Sequence, residues 1–238
     1  ALELVSQYQE GTRVAAPVSA AKLHPLLHAN TSNLAEQRYS TQFDGHEFFL
    51  TDHVVHGQKI LPGVVYLEMA RAAIELAEGL PEGAGLRLSN VVWQRPVVVG
   101  DHSVPVHLGL FPEADGRIAF EIYGDEGHTY CQGMAETVAT IEPQRLDLDA
   151  LRASCTYPQL TGAHCYARLA ALGLALGPAQ QAIDVIHVGD DLVLARLCLP
   201  LSVESTAASY SLHPSLLDSA LQAIVALPGL AKQPQLGL

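Results

Sequence analysis

The sequence predicts an α+β fold in which a curved antiparallel sheet wraps an apolar helix, and three observations indicate that this unit occurs twice. A first apolar helix begins at about Pro62, since proline suits a first helical turn, where its missing N–H would be unpaired anyway. Strand-like segments separated by turns follow this helix. A second apolar helix follows Pro214, so the two prolines mark equivalent positions of a degenerate repeat.

The first helix must be covered on most of its sides. Its charged residues fall on one narrow stripe, and apolar residues occupy the rest of the circumference. The charged residues are Glu68, Arg71, Glu75 and Glu78. Five segments after the helix have strand character, and Gly-Asp or Asp-Gly turns separate the last four of them. They are residues 87–94, 96–99, 103–110, 117–123 and 128–138.

The segment before the helix is expected to deliver His53. Residues 37–43 alternate as in a strand, and Asp44-Gly45 leads to a second short apolar run, 47–50. This pattern predicts a β-hairpin that ends just before His53.

The second half has a shorter pattern. Prolines and aspartates at 141–160 are typical of a linker, and the following elements are a helix at 162–172, strands at 182–188 and 191–199, and the second central helix at 216–227. We expect the following organisation: an N-terminal tail or linker at 1–22, a first module at 23–140, a linker at 141–160 and a second module at 161–238.

Composition excludes several classes of function. Hydrophobic residues make up 49% of the 238 residues, which is ample for a buried core. The net charge of −12 argues against nucleic acid and anionic membrane surfaces as partners. No apolar run reaches the roughly 18 residues of a membrane helix, and residues 1–20 lack a signal-peptide pattern, so we expect a cytoplasmic protein. The four cysteines lack CxxC spacing, and we expect reduced core thiols.

Two motifs carry a family resemblance. The first is His53-x3-Gly57-x4-Pro62, which continues into Gly63 and the apolar helix. The second is Asp218-x3-Gln222, about 150 residues later on the second helix. In this order and spacing they resemble the dehydratase domains of modular polyketide synthases, which are double hot-dog proteins: two modules, each a curved antiparallel sheet around a central helix. The resemblance runs from Leu26 to about Leu227.

The resemblance implies removal of water from a β-hydroxyacyl thioester, with His53 as base and Asp218 as acid. An ordinary imidazole, with a pKa of about 6.5, is a suitable base near neutrality. The acid must be kept protonated, and Asp218 suits this role because it is the only charged residue between Glu204 and Lys232, in an apolar helix where desolvation disfavours the anion. Gln222 lies on the same helical face and is expected to bond Asp218 or the substrate hydroxyl.

Other motif residues are expected to contact substrate. Gly57 and Pro62 belong to the His motif, and the N–H of Gly63, at the positive end of the first helix, is expected to stabilise charge on the thioester oxygen. A third motif of the family, Gly-Tyr-x-Tyr-Gly-Pro-x-Phe, corresponds to residues 173–180, and we expect Leu176, Gly177 and Pro178 to line the site.

This third motif departs from the family pattern. Both tyrosines are leucine, Leu174 and Leu176, and Gln180 replaces the phenylalanine. In the family, the tyrosine directly before Gly-Pro contributes a hydroxyl at the active site. Its absence predicts slower dehydration or a modified outcome.

The resemblance also implies partners. The acyl chain would be carried on the phosphopantetheine of an acyl carrier protein, with neighbouring synthase domains, a homodimer and no bound metal or redox cofactor. The flanking sequence 23–32 and 48–53 is most similar to synthases served by a separate, trans-acting acyltransferase. In the family, further strands follow the Asp-bearing helix and complete the second sheet, whereas 228–238 alone follow here, so we expect an incomplete second module.

Alternatives remain open at this point. In the structural alternative to a catalytic role, His53 is a hydrogen-bonded loop residue and Asp218 is a first-turn residue favoured by the helix dipole. In the same alternative, Gln222 is a buried amide that satisfies backbone groups. His53-x2-His56 lacks the spacing of a zinc-protease helix, so we expect no metal site and no catalytic role for His56. The same fold also suits a double-bond isomerase, a cyclase that forms oxygen heterocycles, or a non-catalytic module that docks carrier proteins.

Overall fold

The computed structural model describes residues 22–80, 84–139 and 145–229. Nearly all of the predicted tail at 1–22 therefore lies outside the described residues. The first half contains, in order, β1 Ala29–Asn30, β2 Gln37–Phe43, α1 Phe48–Thr51, β3 His53–Val55, β4 Gln58–Ile60, α2 Gly63–Glu78, β5 Ala84–Trp93, β6 Val98–Val99, β7 Val104–Pro112, β8 Ile118–Tyr123 and β9 Thr129–Ala139.

The first helix is wrapped by a sheet, as its sequence predicts. Within the described ranges, six antiparallel strands form this sheet in the order β1-β2-β7-β8-β9-β5. Burial alternates along β8, as expected where one face of a strand meets a core. Helix α2 is apolar on most sides because it packs into this curved sheet, where Met69 and Ile74 share a core with Leu108 and Phe120.

The second half is smaller. It contains, in order, α3 Leu148–Ala153, β10 Tyr157–Thr161, α4 Gly162–Ala171, β11 Leu174–Leu176, a 3-10 turn Pro178–Gln180, β12 Ile183–Val188, β13 Val193–Leu197, a 3-10 segment Leu201–Ser209, α5 Pro214–Gln222 and a final 3-10 turn Ala223–Ala226. Among the described residues, three antiparallel strands form its sheet, in the order β10-β12-β13. Cys165, Ile186 and Val225 belong to its core.

A third sheet joins the two halves. Its order is β11-β3-β4-β6, so a strand from the second half pairs with the strand that begins at His53. The register sets Leu174 opposite Val55 and Leu176 opposite His53. The backbone of one half thus completes a sheet of the other.

The predicted hairpin at 37–43 and 47–50 is wrong. Strand β2 pairs with β1 and β7, and residues 48–51 form the single-turn helix α1. The carboxylate of Glu47 accepts the N–H groups of Asp44 and Gly45, which closes the turn. Phe49 and Leu50 are both buried, and a strand would direct these adjacent side chains to opposite faces.

Most other predicted elements lie close to their predicted positions, with two differences. Pro62 precedes the first helical residue, Gly63, as its N-cap. The predicted linker at 141–160 includes α3 and most of β10, and β10 pairs with β12 in the second sheet. The expectation of core thiols fails for two of the four cysteines. Cys131 and Cys165 are buried, whereas Cys155 is half-buried and Cys198 is exposed.

Within the part of the chain that the structure describes, no helix is both long and apolar enough to cross a bilayer.

Candidate active site

A tight hairpin holds His53. Strands β3 and β4 pair Val55 with Gln58, which leaves His56 and Gly57 as a two-residue loop. Their φ angles are 48° and 83°, and positive values at both central positions define a type I′ turn, whose twist matches that of the flanking strands. Gly57 is exposed at the tip, so its place in the motif is explained by backbone conformation.

The imidazole of His53 is oriented by a backbone carbonyl. Nδ1 lies 2.7 Å from the oxygen of Ile60. A carbonyl oxygen only accepts hydrogen bonds, so Nδ1 carries a proton, and in the neutral imidazole Nε2 keeps its lone pair. The residue is 8% exposed. The imidazole is therefore nearly buried, with its Nδ1 held by the backbone.

Helix α5 presents the carboxyl group of Asp218. His213 caps this helix by accepting the N–H of Ser215, and Pro214 occupies its first position. Asp218 is 8% exposed, and burial raises the pKa of its carboxyl group, although His53 and a hydrogen bond from Gln222 act in the opposite direction. The raised pKa agrees with the expectation from its apolar sequence context.

The two groups meet across the boundary between the halves. Nε2 of His53 lies 3.9 Å from Oδ2 of Asp218. The Gln222 amide donates from Nε2 to the same Oδ2, and its Oε1 is buried without a partner among the described residues. The arrangement therefore offers one group that can take a proton and one that can give a proton, side by side and nearly excluded from water.

Leu176 lies next to His53. The two residues are directly opposite each other in the β11–β3 pair, and opposite residues of an antiparallel pair project their side chains on the same face, about 5 Å apart. Leu176 and Gly177 are half-buried, whereas Pro178 is exposed. An aliphatic surface thus stands beside the imidazole at the position where the resembled family has a tyrosine.

The start of α2 lies beside an indole ring. Trp93 donates from Nε1 to the carbonyl oxygen of Gly63 at 2.9 Å. A Cβ at position 63 would stand 3.3 Å from the same nitrogen, which is a tight contact. Pro62 is buried and Gly63 is half-buried. Trp93 therefore fixes the first turn of α2, where a free N–H favours developing negative charge.

Sequence reasoning missed several residues that hold this arrangement together. Asp52 bonds the 177–179 turn, Ser219 bonds Gln180, and Glu68 bonds the backbone before α5. In the sequence, Asp52 is marked only by its position before His53, and Ser219 only by its position after Asp218. Glu68 is marked only as a charged residue within an apolar helix. None of these signals specifies a partner more than 30 residues away.

Other candidate residues lie away from the pair or form no cluster. His56 is exposed in the hairpin turn, where its N–H donates to the carbonyl of Gly173 at 2.8 Å. In residues 22–80, 84–139 and 145–229, no group of three His, Cys, Asp or Glu side chains is placed to hold a metal ion.

A sheet-wrapped helix that follows the His-bearing hairpin, and a second helix that carries the Asp next to a smaller sheet, are the features of a double hot-dog protein. Comparison with known proteins then identifies the family. A family model described as "Polyketide synthase dehydratase domain" matches residues 24–125, and one described as "Polyketide synthase dehydratase N-terminal domain" matches 143–235. The chain belongs to the dehydratase domains of polyketide synthases, a family of hydro-lyases.

Solved structures agree with this assignment. A trans-AT polyketide synthase dehydratase domain from Brevibacillus brevis is 49% identical, with a TM-score of 0.84, covering 87% of this chain and 75% of that one. The dehydratase domain of RzxB from Pseudomonas fluorescens is 32% identical, with a TM-score of 0.78, covering 90% of this chain and 78% of that one. The predicted double hot-dog fold is confirmed.

A curated relative places the domain in a larger context. The chain is 44% identical over 211 residues to the polyketide synthase PksM of Bacillus subtilis (strain 168). The match covers 85% of this chain and 5% of that protein. The chain thus spans a small fraction of the length of the curated relatives that it matches.

Proposed function

We propose that this domain eliminates water from a β-hydroxyacyl thioester carried on the phosphopantetheine arm of an acyl carrier protein, with His53 as base and Asp218 as acid. The observation that carries the proposal is the 3.9 Å separation of His53 Nε2 and Asp218 Oδ2 in a nearly buried site. Family membership as a dehydratase supports the reaction class.

In the proposed reaction, Nε2 of His53 takes the proton from the carbon α to the thioester carbonyl. The electron pair of that C–H bond forms the α,β double bond. The bond from the β-carbon to its hydroxyl oxygen breaks, and Asp218 donates the proton with which this oxygen leaves as water. His53 is then an imidazolium and Asp218 a carboxylate. Transfer of one proton from His53 to Asp218 restores the starting state.

The surrounding groups have distinct proposed roles. The N–H of Gly63, at the N-terminus of α2, stabilises negative charge on the thioester oxygen. Gln222 holds the carboxyl of Asp218, and its unpartnered Oε1 accepts a hydrogen bond from the substrate hydroxyl. Leu176 and Gly177 form part of the wall, with Pro62 and Pro178 in supporting positions. Gly57 enters the proposal only through the turn that positions His53.

The proposed partners follow from the family. The relatives are long polyketide synthases, so we propose that the domain acts beside neighbouring synthase domains, as a homodimer in the cytoplasm, and within a synthase served by a trans-acting acyltransferase. The 49% identical trans-AT domain supports this subtype. The proposed chemistry needs only side-chain and backbone groups of this chain and no bound cofactor.

Mass spectrometry tests the proposed function. Incubation with a β-hydroxyacyl carrier protein is expected to give a product lighter by one water molecule. His53→Ala and Asp218→Asn are each expected to abolish this loss while the fold is retained, because each removes one half of the proton exchange. His56→Ala is the matched control and is expected to stay active. Full activity in either site variant would refute the assigned roles.

A second candidate function has one observation in its favour. Leu176 provides no hydroxyl beside His53, so the site is suited to isomerisation of a double bond or to ring closure by a distal hydroxyl. With an α,β-unsaturated acyl carrier protein as substrate, a product of unchanged mass but new retention time would support this reading. A substrate left unaltered by the full synthase module would support a docking role instead.

A further inference from the structure

We propose that Asp52 and Ser219 are positioning residues that hold His53 and Asp218 at their working distance through the turn at 177–180. The inference rests on the proposed function, because it assigns these residues to the same His–Asp pair. Each of them is the direct chain neighbour of a member of this pair, and both bond to the same turn.

On the first side, Asp52 bonds the turn twice. Its Oδ2 accepts the N–H of Ala179 at 2.7 Å, and its backbone carbonyl accepts the N–H of Gly177 at 2.9 Å. The first bond is charge-assisted, which makes it shorter and stronger than a neutral one. Because Asp52 directly precedes His53, these bonds fix the beginning of β3 relative to the turn.

On the second side, Ser219 bonds the same turn from α5. It is fully buried, its Oγ donates to the carbonyl of Gln180 at 3.4 Å, and the same Oγ accepts the N–H of Ala182 at 3.2 Å. Because Ser219 directly follows Asp218, these bonds fix α5 relative to the turn. A buried hydroxyl with both roles satisfied is costly to remove.

Together these bonds form a short path between the catalytic groups. It runs from His53 to its neighbour Asp52, across to Ala179, along the chain to Gln180, across to Ser219 and on to Asp218. The imidazole and the carboxyl lie 3.9 Å apart, which is too far for a direct hydrogen bond. Their separation is therefore set by their supports.

Gly177 provides a separate means of disturbing the same contact. A Cβ at this position would stand 2.3 Å from Cγ and Oδ1 of Asp52, so the turn lies directly against the carboxylate. Its φ of −80° is accessible to any residue. The glycine is thus required for space at Asp52 and not for backbone conformation, and Gly177→Ala would push the carboxylate away.

Steady-state kinetics on a β-hydroxyacyl pantetheine surrogate test the inference in the full chain. We expect Asp52→Ala, Ser219→Ala and Gly177→Ala each to lower kcat by about 100-fold, the effect of displacing a catalytic group by about 1 Å, with KM little changed. Asp52→Asn keeps an acceptor oxygen for Ala179 and is expected to restore most of kcat. The Asp52→Ala/Ser219→Ala double variant is expected to lose less than the product of the single losses, because both act through one path.

Matched controls separate positioning from loss of stability. Gly100→Ala adds a methyl group where no atom lies within 4 Å. Asp147→Ala removes a carboxylate that accepts the N–H of Ala150, and Ser154→Ala removes a hydroxyl that donates to Leu151. These variants are expected to keep wild-type kcat. Equal losses in controls and test variants, or strictly multiplicative losses in the double variant, would overturn the inference.

Crystal structures of the variants test the inference without any measurement of the reaction. In Asp52→Ala and in Ser219→Ala, the distance from His53 Nε2 to Asp218 Oδ2 is expected to change by about 1 Å relative to wild type. An unchanged distance would refute positioning even if the wild-type domain dehydrates its substrate. Absence of water loss in the wild type, with a changed distance in the variants, would refute the proposed function alone.

Discussion

One hydrogen bond decides which nitrogen of His53 is available for chemistry. The carbonyl of Ile60 fixes the proton on Nδ1, and this carbonyl lies at the end of β4, in the same hairpin. The tautomer of the proposed base is thus set by a backbone group of its own motif. The proposed acid differs, because burial raises the pKa of Asp218 while Gln222 acts in the opposite direction.

At the residue scale, Leu176→Tyr tests the effect of the missing hydroxyl. A tyrosine would place an O–H donor beside His53, on the face that the two residues share. We expect kcat for dehydration to rise by up to about tenfold, the value of one ordinary hydrogen bond in the transition state. Stopped-flow measurement of the new conjugated alkene reports this rate.

Leu176→Phe is the control for this change, because it adds the ring without the hydroxyl. It is expected to leave kcat unchanged or lower. An equal rise in both variants would show that ring volume, and not hydrogen bonding, limits the reaction.

At the scale of elements, the β3–β4 hairpin explains the spacing of the His motif. The type I′ turn at His56 and Gly57 separates His53 from Gly57 by three residues, and β4 then leads to Pro62 and α2. The spacing of the motif is therefore explained by a turn and a helix start, in addition to the proposed base His53.

Gly57→Ala tests this explanation. No atom lies within 4 Å of the added Cβ, so the cost comes only from the φ of +83° and is expected to be about 1–2 kcal/mol of unfolding free energy. Urea unfolding measures this loss. KM is expected to stay at the wild-type value, and a selective rise in KM would instead support contact between Gly57 and substrate.

The sequence predicted helices and strands well where nearby proline or turn residues determine the structure. The proline-started helices and the turn-separated strands β7, β8 and β9 lie close to their predicted positions. The hairpin was wrong because, after the turn at 44–45, burial of both Phe49 and Leu50 favours a helical turn over a second strand. Strand β10 was missed because Pro158 argues against a strand, although an edge strand tolerates proline.

At the scale of the whole molecule, Glu68 ties the two halves together. It is fully buried and accepts the N–H groups of Ser211 and Leu212 at 2.9 and 3.0 Å, just before α5, and two bonds from Arg71 at 2.7 and 3.0 Å. His24 lies 3.4 Å away. Burial would raise the pKa of Glu68, but these donors together lower it to about 2.

Glu68→Gln is expected to destabilise the domain in a pH-dependent way. The folded-state pKa of about 2 lies below the ordinary 4.5, so the carboxylate contributes its full stability above pH 4.5 and loses it as the pH falls towards 2. The difference in unfolding free energy between wild type and variant is expected to be about 3 kcal/mol near neutral pH and to shrink with acidification. Urea unfolding at a series of pH values measures this difference.

Glu75→Gln is the matched control. Glu75 bonds the same Arg71, but its side chain is 53% exposed, so its loss is expected to cost less than about 1 kcal/mol. A loss for Glu68→Gln that is no larger, or that does not vary with pH, would contradict the proposed tie.

The contacts between the halves were beyond sequence reasoning. The two motifs indicated His53 and Asp218 separately, but neither motif contains the partners of Glu68 or the register that sets Leu176 opposite His53. These contacts join residues more than 100 positions apart, and only the folded chain brings them together.

Strand β11 has a practical consequence for recombining synthases. Strand β11 supplies main-chain hydrogen bonds to β3. If only one half is exchanged between parental enzymes, a β11 strand from one enzyme would have to pair with the β3 strand, which begins at His53, from the other. Side-chain compatibility at the crossover is then insufficient, because the exchanged half must also preserve the register between β11 and β3.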